Sequence, residues 1–405
     1  MGWRETCFMD ERVSFVSAYL RGDYPMTVLC ESYGISRKTG YKWIGRYLSE
    51  GASGLHDRSR APHRHGRRLA PALAEAILAL RLERPHWGPR KLRASLALSA
   101  PGIVWPAAST IGDLLRAHGL STPRRRRRRA APASRPFIDV AAPNDVWCID
   151  FKGWFRTGDG QRCDPLTITD AHSRFLLVCR IVEPHTEPVR AVVEEAFRTY
   201  GLPRAMRSDN GPPFASAGAG GLSRLSLDWV KAGIALERIE PGKPQQNGRH
   251  ERMHRTLKAE TSRPTAASPD EQQARFDAWR HDFNHIRPHE ALGQRPPADL
   301  YRPSSRPWPE SLPQPWYDAE HAERRVRTSG EIKWGGRRIF IGEALVGETV
   351  GVAETETGNW IVRYANIDLG VIDNRTGKFH RFTAARPGRR EAKHKQNTVT
   401  HLSGP

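Results

Sequence analysis

The sequence predicts a multidomain chain: two all-α helix-turn-helix modules, then an α/β core, then a small β module. Three observations predict it. Helical apolar periodicity interrupted by turn residues occurs twice before residue 122. Between 146 and 261, strand-like runs and helical stretches follow in the order β-β-β-α-β-α-β-α. Short strand-like runs with glycine turns then occupy 329–383.

The first module covers residues 1–50. Asp10 caps a helix that runs through Arg21, with Val13, Phe15, Val16, Tyr19 and Leu20 as its apolar positions. A second helix spans about Thr27–Tyr33. Gly34 permits a tight turn, and Ser36 caps a third helix. That helix carries Arg37, Lys38, Tyr41, Lys42 and Arg46, a basic and polar set able to enter a major groove. A plain three-helix bundle is the alternative. Residues 51–69 read as a linker.

The second module, 70–122, repeats the theme with helices over Ala70–Leu82, from Pro89, and over about 107–118. Arg90 and Lys91 are its candidate DNA contacts. A basic linker, 123–139, follows. Its run Arg124, Arg125, Arg126, Arg127, Arg128 and Arg129 stays extended by like-charge repulsion and can displace counterions from phosphates.

Composition agrees with a polyanionic partner. The 405 residues suffice for two to four domains of roughly 100–200 residues each. Formal net charge is +20, and residues 52–136 alone hold 18 Lys/Arg against 4 Asp/Glu. The excess therefore lies ahead of the α/β core. Cys7, Cys30, Cys148, Cys163 and Cys179 form no C-x-x-C pair, which argues against a zinc knuckle or a disulfide framework. There is no apolar run of about 18–20 residues and no signal-peptide pattern. A soluble cytoplasmic protein without a membrane partner is expected.

In the core, strands are expected over Val146–Phe155, Arg162–Thr169, Phe175–Val182, Ala205–Ser208 and Ala235–Ile239. Helices are expected over Pro188–Tyr200, Leu222–Lys231 and Gln245–Thr261. The Ala/Gly-rich segment Ser216–Gly221 reads as mobile. Three carboxylates occupy informative places. Asp150 closes an apolar run, Asp209 follows a short strand and precedes Asn210-Gly211, and Glu251 lies early in a helix. Three such groups brought together suit two Mg²⁺ ions, with Mn²⁺ able to substitute, because hard cations take carboxylate oxygens. Two ions about 3.5–4 Å apart clamp the attacking and leaving oxygens of a phosphodiester. An enzyme that cuts and joins nucleic-acid strands is implied. Lys258 lies two turns after Glu251 on the same helix face, fit to meet the adjacent phosphate. Lys243 and Arg252 are further candidate DNA contacts. Asp170 reads as a turn cap beside Ser173 and Arg174, Asp145 as a turn closure, and Glu240 as a minor rival ligand.

A rival chemistry lies in the same helix. His250-Glu251-Arg252-Met253-His254 is a literal H-E-x-x-H, the zinc-protease pattern. No third ligand follows at H-x-x-G-x-x-H spacing. That reading would also leave Asp150, Asp209 and the basic modules without a role.

The pieces Trp147-x-x-Asp150, Asp170-x-x-Ser173-Arg174, Ser208-Asp209-Asn210-Gly211, Pro241-Gly242-Lys243-Pro244 and Asn247-Gly248-x-x-Glu251-Arg252 occur in this order. Phe283-Asn284-x-x-Arg287-Pro288-His289-x-x-Leu292 and Pro297-x-x-x-Tyr301 follow. Over 140–301 the chain resembles the catalytic core of retroviral integrases and bacterial insertion-sequence transposases, the DDE superfamily. The resemblance implies a ribonuclease H-like core with a helical extension over 140–305 and a C-terminal β-barrel over 325–385. A basic disordered tail, 386–405, would follow. His86-Trp87-Gly88-Pro89-Arg90-Lys91 resembles the second helix-turn-helix of tripartite members. Asn284, Arg287, Pro288 and His289 would pack the end of the core.

The implied activity is metal-dependent cleavage and strand transfer on double-stranded DNA. The chain would bind the element's terminal inverted repeats as a homo-multimer, join them to target DNA, and act in the bacterial nucleoid. The 42 positions from Asp209 to Glu251 exceed the spacing in many relatives. A catalytically inactive or domesticated DNA-binding regulator is one alternative, and a ribonuclease H-like nuclease or resolvase is another.

Overall fold

The computed structural model describes residues 7–58, 69–121, 139–239 and 248–382. The chain divides into two compact units, Met1–Leu69 and Ala70–Pro405.

In the first unit, α1 (Phe8–Arg21), α2 (Met26–Ser32) and α3 (Arg37–Glu50) surround Phe15, Val16, Leu29, Trp43, Ile44 and Leu55. The α3 helix starts where the Ser36 hydroxyl accepts from the Thr39 backbone N–H at 3.2 Å. Gly40 lets α3 approach its neighbours, since a Cβ there would lie 2.7 Å from Cys30 Sγ and 3.0 Å from Phe15.

In the second unit, α4 (Pro71–Glu83), α5 (Pro89–Ser99) and α6 (Ala108–Ala117) bury Ile77, Leu92, Leu96, Ile111 and Leu115. Pro89 sits in the first turn of α5, where its missing N–H costs no helical hydrogen bond.

The α/β core contains β1 (Val146–Phe151), β2 (Phe155–Arg156), β3 (Arg162–Cys163), β4 (Pro165–Asp170) and β5 (Leu176–Ile181). Then come α7 (Thr186–Tyr200), β6 (Ala205–Ser208), α8 (Arg224–Lys231), β7 (Ala235–Arg238), α9 (Gly248–Thr261) and α10 (Pro269–His285). The main sheet has the order β5-β4-β1-β6-β7. β4 runs antiparallel to β1 and β5, while β1, β6 and β7 are parallel. A central strand covered on both faces should be continuously apolar, and Val146 through Ile149 are all buried. Helices α7 and α8 contribute Val189, Val193, Phe197, Leu225 and Trp229 to the cluster around Trp147, Ile149, Ile168 and Leu177. Helices α9 and α10 pack Met253, Leu257, Phe276, Trp279 and Phe283 against Leu176 and Cys179 of β5.

Two expected strands are broken. The apolar run from 146 stops at Phe151, and Phe155–Arg156 pairs instead with Arg162–Cys163 in a separate hairpin. Pro165 begins β4, since proline is tolerated at the start of a strand. The sequence reading names no helix over Pro269–His285. It is capped by Ser268, which accepts from Glu271 N–H at 3.3 Å, and Pro269 opens its first turn.

The C-terminal region holds β8 (Ala322–Arg325), β9 (Glu331–Trp334), β10 (Arg337–Phe340), β11 (Thr349–Glu354), β12 (Trp360–Tyr364), β13 (Ile367–Ile372) and β14 (Phe379–Arg381). The expected single run Ile332–Ile341 is a hairpin, turned by Gly335 and Gly336 at φ 52° and 76°. A five-stranded antiparallel sheet, β14-β13-β12-β11-β8, and the β9-β10 hairpin share one apolar cluster. Among the described residues these sheets do not close into a single barrel.

The same cluster includes Ala219, Leu222 and Leu227 of the α/β core. The segment Ser216–Gly221, read from sequence as mobile, is therefore an anchor. Ala219 and Gly221 are buried, and Gly220 N–H donates to Phe382 C=O at 2.9 Å. Gly220 has φ +63°, and a Cβ there would lie 3.1 Å from Leu369 and 3.2 Å from Ile367. Glycine here serves close packing, a use that composition does not distinguish from mobility. Lys231 and Glu348 add a largely buried ion pair at 2.6 Å across the same junction.

Candidate active site

The three expected acids come from three elements. Asp150 lies near the end of β1, Asp209 directly follows β6, and Glu251 lies in the first turn of α9. Their environments differ. The Asp150 side chain is about a quarter exposed, whereas Asp209 and Glu251 are exposed. Burial pushes the Asp150 carboxyl up to about 7, and the charges of Asp209 and Glu251 push in the same direction. β1 and β6 are parallel neighbours, which sets Asp150 and Asp209 at the same edge of the sheet, and His254 of α9 lies 3.9 Å from Asp150.

Helix α9 has two faces. His250, Met253, His254 and Leu257 recur at i, i+3, i+4 and i+7, and all four are buried. Glu251, Arg255 and Lys258 recur at i, i+4 and i+7 on the exposed face. Glu251 and Lys258 line one open cleft of about 380 Å³ with His254, Arg255, Lys152 and Arg263. Arg252 is exposed and does not line that cleft. Sequence reasoning missed Lys152; its position two residues beyond Asp150 is the signal that could have found it.

The H-E-x-x-H histidines face the sheet. His250 Nε2 and His254 Nε2 lie 2.7 and 2.6 Å from the Thr167 hydroxyl, and His250 Nδ1 lies 2.9 Å from the Thr169 hydroxyl. His254 Nδ1 lies 3.9 Å from Asp150 Oδ2. Possible ligand atoms of Asp150, His250 and His254 fall within 4.8 Å of one another. Yet threonine hydroxyls engage three of the four ring nitrogens, and the two residues are only 2% and 7% exposed. Burial lowers the His250 pKa to about 3; burial, His250 and Lys152 lower that of His254, so both rings are neutral. Glu251 points away from them. These histidines pack and position, and the zinc-protease geometry is not met.

Asp209 is steadied locally. Gly211 N–H donates to its Oδ1 at 3.1 Å, and Asn210 Nδ2 donates to Ile239 C=O at 2.6 Å. Arg238 Nη1 donates to Ser208 Oγ and to Phe214 C=O, both at 2.8 Å, clamping the segment on either side of Asp209. Burial lowers the Arg238 pKa to about 10.

Asp170 is fully buried. It accepts from Asn144 N–H at 2.7 Å, Ser173 N–H at 2.7 Å and Ser173 Oγ at 2.6 Å, so it is spent on a turn. Asp145 accepts from Ala141 and Ala142 N–H at 2.9 and 2.8 Å. Asn284 brackets Leu176, accepting from its N–H at 2.8 Å and donating to its C=O at 3.0 Å. Arg287 makes a two-pronged pair with Glu260 at 2.6 and 2.9 Å. His289 packs edge-on against Phe283.

Among the DNA-contact candidates, Arg37, Lys38, Tyr41 and Lys42 are exposed on α3. Lys42 and Arg46 lie over the Trp43 ring, at 4.1 and 5.1 Å from its centroid. Arg90 pairs with Glu290, and Arg84 with Asp282 of α10. Lys91 is partly buried, and burial and Arg287 lower its pKa to about 8. Of the two α5 candidates, Lys91 is thus turned partly inward, while Arg90 stays exposed in a surface pair. Arg124–Arg129, Lys243 and Glu240 lie outside the described residues, as do residues 386–405. No helix among the described residues is long and apolar enough to cross a membrane.

Comparison with known proteins agrees with this architecture. The integrase core domain family matches residues 140–244, and a second integrase core family matches 232–297. A helix-turn-helix domain family matches 11–63, and a homeodomain-like family matches 39–115. The chain is 30% identical over 281 residues to the uncharacterized 31.7 kDa protein of insertion element IS407 from Burkholderia multivorans, covering 68% of this chain and 94% of that protein. It is 29% identical over 180 residues to the uncharacterized 39.2 kDa protein of insertion element IS476 from Xanthomonas euvesicatoria, covering 44% of this chain and 50% of that one. The magnesium-bound HTLV-2 integrase catalytic core, in its trimeric form, aligns with 40% of this chain and 98% of its own at 15% identity and a TM-score of 0.32. Carrying helix-turn-helix modules ahead of an integrase core, and sharing nearly the whole length of an IS407 protein, the chain belongs to the insertion-element transposases of the integrase-core type.

Proposed function

We propose that Asp150, Asp209 and Glu251 are the metal-binding carboxylates of this transposase, with Lys258 beside them as a phosphate-binding residue. The observation that carries this reading is geometric: Asp150 and Asp209 lie at the same ends of the neighbouring parallel strands β1 and β6, and His254, one turn beyond Glu251 on α9, lies 3.9 Å from Asp150. Such a site has too much negative charge for its setting, and its all-oxygen donor set fits hard divalent cations. Two Mg²⁺ ions, or Mn²⁺ in their place, would supply charge neutralisation for the phosphodiester under attack.

The chain's own residues do the rest. Asp150 would be held deprotonated by a bound cation, which would tie activity to pH. Lys258, Lys152 and Arg255 line the cleft and hold the negative strand in register with the carboxylates. A fixed 3′-hydroxyl on bound DNA then needs no covalent protein intermediate, because alignment and local charge lower the barrier.

Binding is divided among modules. In this reading residues 1–50 and 70–122 grip the terminal inverted repeats, with Arg37, Lys38, Tyr41, Lys42 and Arg46 reading the groove. Arg90 exchanges its exposed pair with Glu290 for phosphate, and Lys91 adds a charge beside it. Arg124–Arg129 and Lys243 track the backbone, and Arg252 adds a peripheral contact. Residues 325–385 act as a small β module on DNA, and chains assemble as a multimer on paired ends before joining target DNA in the nucleoid.

The test is strand transfer on a duplex carrying the terminal repeat, with Mg²⁺. Asp150→Asn, Asp209→Asn and Glu251→Gln should each lower it by roughly a hundredfold or more while repeat binding survives. Full activity in any one removes that residue from the site.

A further inference from the structure

Four residues beyond Asp150, the chain presents a tryptophan to solvent. Trp154 is 58% exposed, although most tryptophans in this core are buried. Gly153, at φ 83°, turns the backbone immediately before it. The ring is flanked by the guanidinium groups of Arg156 and Arg162, at 5.9 and 5.3 Å from its centroid. Both arginines are themselves fixed. Arg156 Nη1 donates to Gly160 C=O at 2.6 Å, and Arg162 donates twice to Asp164 at 2.7 and 2.8 Å. The exposed ring is thus held in place by the β2-β3 hairpin.

Beside it lies a smaller cavity of about 150 Å³. Trp154, Phe155, Leu257 and Phe276 give it apolar walls, while Lys152 and Lys258 line it as well. Those two lysines also line the larger cleft that holds Glu251. The cavity therefore adjoins the cleft that Glu251 lines, with Lys152 and Lys258 common to both. A flat apolar wall bordered by positive charge does not suit an apolar protein partner, whose docking would bury those charges unpaired. It suits a nucleobase, with its π face on the indole and its own phosphate on the lysines.

From this we infer that Trp154 is a stacking platform for one unstacked base next to the scissile phosphate of the transferred DNA strand. The inference rests on the metal-centre reading above, because the two cavities share Lys152 and Lys258. Removing a base from a duplex stack is unfavourable, and an aromatic platform offsets much of that cost. Trp154 would thereby hold the strand end in position for attack. It is a positioning residue and takes no part in the bond-making itself.

Two measurements test it with the full-length protein. In the first, a terminal-repeat duplex carries 5-iodouracil at the nucleotide flanking the scissile phosphate. It is irradiated with the protein in EDTA, and the cross-linked peptide is identified by mass spectrometry. The expected product contains Trp154; Trp154→Ala should cut its yield about tenfold, and Trp154→Phe should retain most of it. Cross-links only to other peptides, with yields indifferent to Trp154→Ala, overturn the proposal.

The second is strand transfer with Mg²⁺, on the intact duplex and on one made abasic at that nucleotide. Trp154→Ala should lose about tenfold on the intact duplex and little on the abasic one, since the stacking partner is already gone. Equal losses on both duplexes would show a structural role and overturn it. The cross-link needs no divalent cation, so it stands even if the three acids prove to have another role.

Discussion

Asp150 and Thr167 face each other across the antiparallel β1-β4 ladder, and the Thr167 hydroxyl lies 3.2 Å from the Asp150 carbonyl oxygen. That hydroxyl also lies within 2.7 Å of Nε2 of His250 and of His254. It has one proton, so at least one imidazole must donate to it. A single side chain therefore joins the strand bearing Asp150 to the buried face of the helix bearing Glu251.

Thr167→Val should break that joint while keeping the side-chain shape. Two buried imidazoles lose a partner, an expected cost of about 1–3 kcal/mol in urea unfolding. Strand transfer should fall with it, because β1 and α9 are no longer fastened. Thr167→Ser should restore both. Unchanged stability in the valine variant would mean that the histidines have other partners.

The raised Asp150 carboxyl sets a pH dependence. Its pKa is about 7 in the fold against an ordinary 3.8, so the folded protein keeps a proton that the unfolded chain has released. Stability of the metal-free protein should therefore fall as pH rises from about 4 to about 7 and then level off. Bound Mg²⁺ should oppose that fall. Apparent Mg²⁺ affinity should strengthen by up to about tenfold per pH unit below 7 if this proton alone is displaced. Calorimetric titration from pH 5.5 to 8 checks this, and Asp150→Asn should abolish the dependence. A flat affinity in the native protein would show that Asp150 is already ionised.

Sequence reading by α3 predicts a selective loss. Arg37→Ala or Lys38→Ala should weaken binding to the terminal repeat by about 1–3 kcal/mol, with a smaller effect on scrambled DNA. Lys42→Ala removes packing on Trp43 as well as a charge, so its effect should include some loss of stability. Mobility shifts on both duplexes, with a thermal melt of each variant, separate the two. Equal losses on repeat and scrambled DNA would reduce α3 to a phosphate contact.

The Gly220 junction should be intolerant of bulk. Gly220→Val places a branched side chain at φ +63°, against Leu369 and Ile367. The expected cost is roughly 1–3 kcal/mol of strain and displaced packing. Hydrogen exchange should rise both at 214–222 and at 367–372. Protection unchanged in both segments would mean that the junction yields without cost.

Local chemistry determined much of this chain. Ser36 starts α3, the continuous apolar run through Ile149 marks a strand covered on both faces, and seven-residue spacing puts Glu251 and Lys258 on one face of α9. Each depends on backbone periodicity or on a neighbour a few residues away, which sequence records directly. Helix α10 was also accessible, through Ser268-Pro269-Asp270-Glu271 and the spacing of Phe276, Trp279 and Phe283, but its many polar residues hide the stripe. Tertiary structure alone decided what distant side chains meet. It turned His250 and His254 onto Thr167, converted Ser216–Gly221 from an apparent loop into an anchor, engaged Arg90 with Glu290, and stood Trp154 beside the cleft. The physical reason is that a histidine, a glycine or an exposed tryptophan has the same local preferences in each of its roles. Only the partners brought from elsewhere in the chain choose between them.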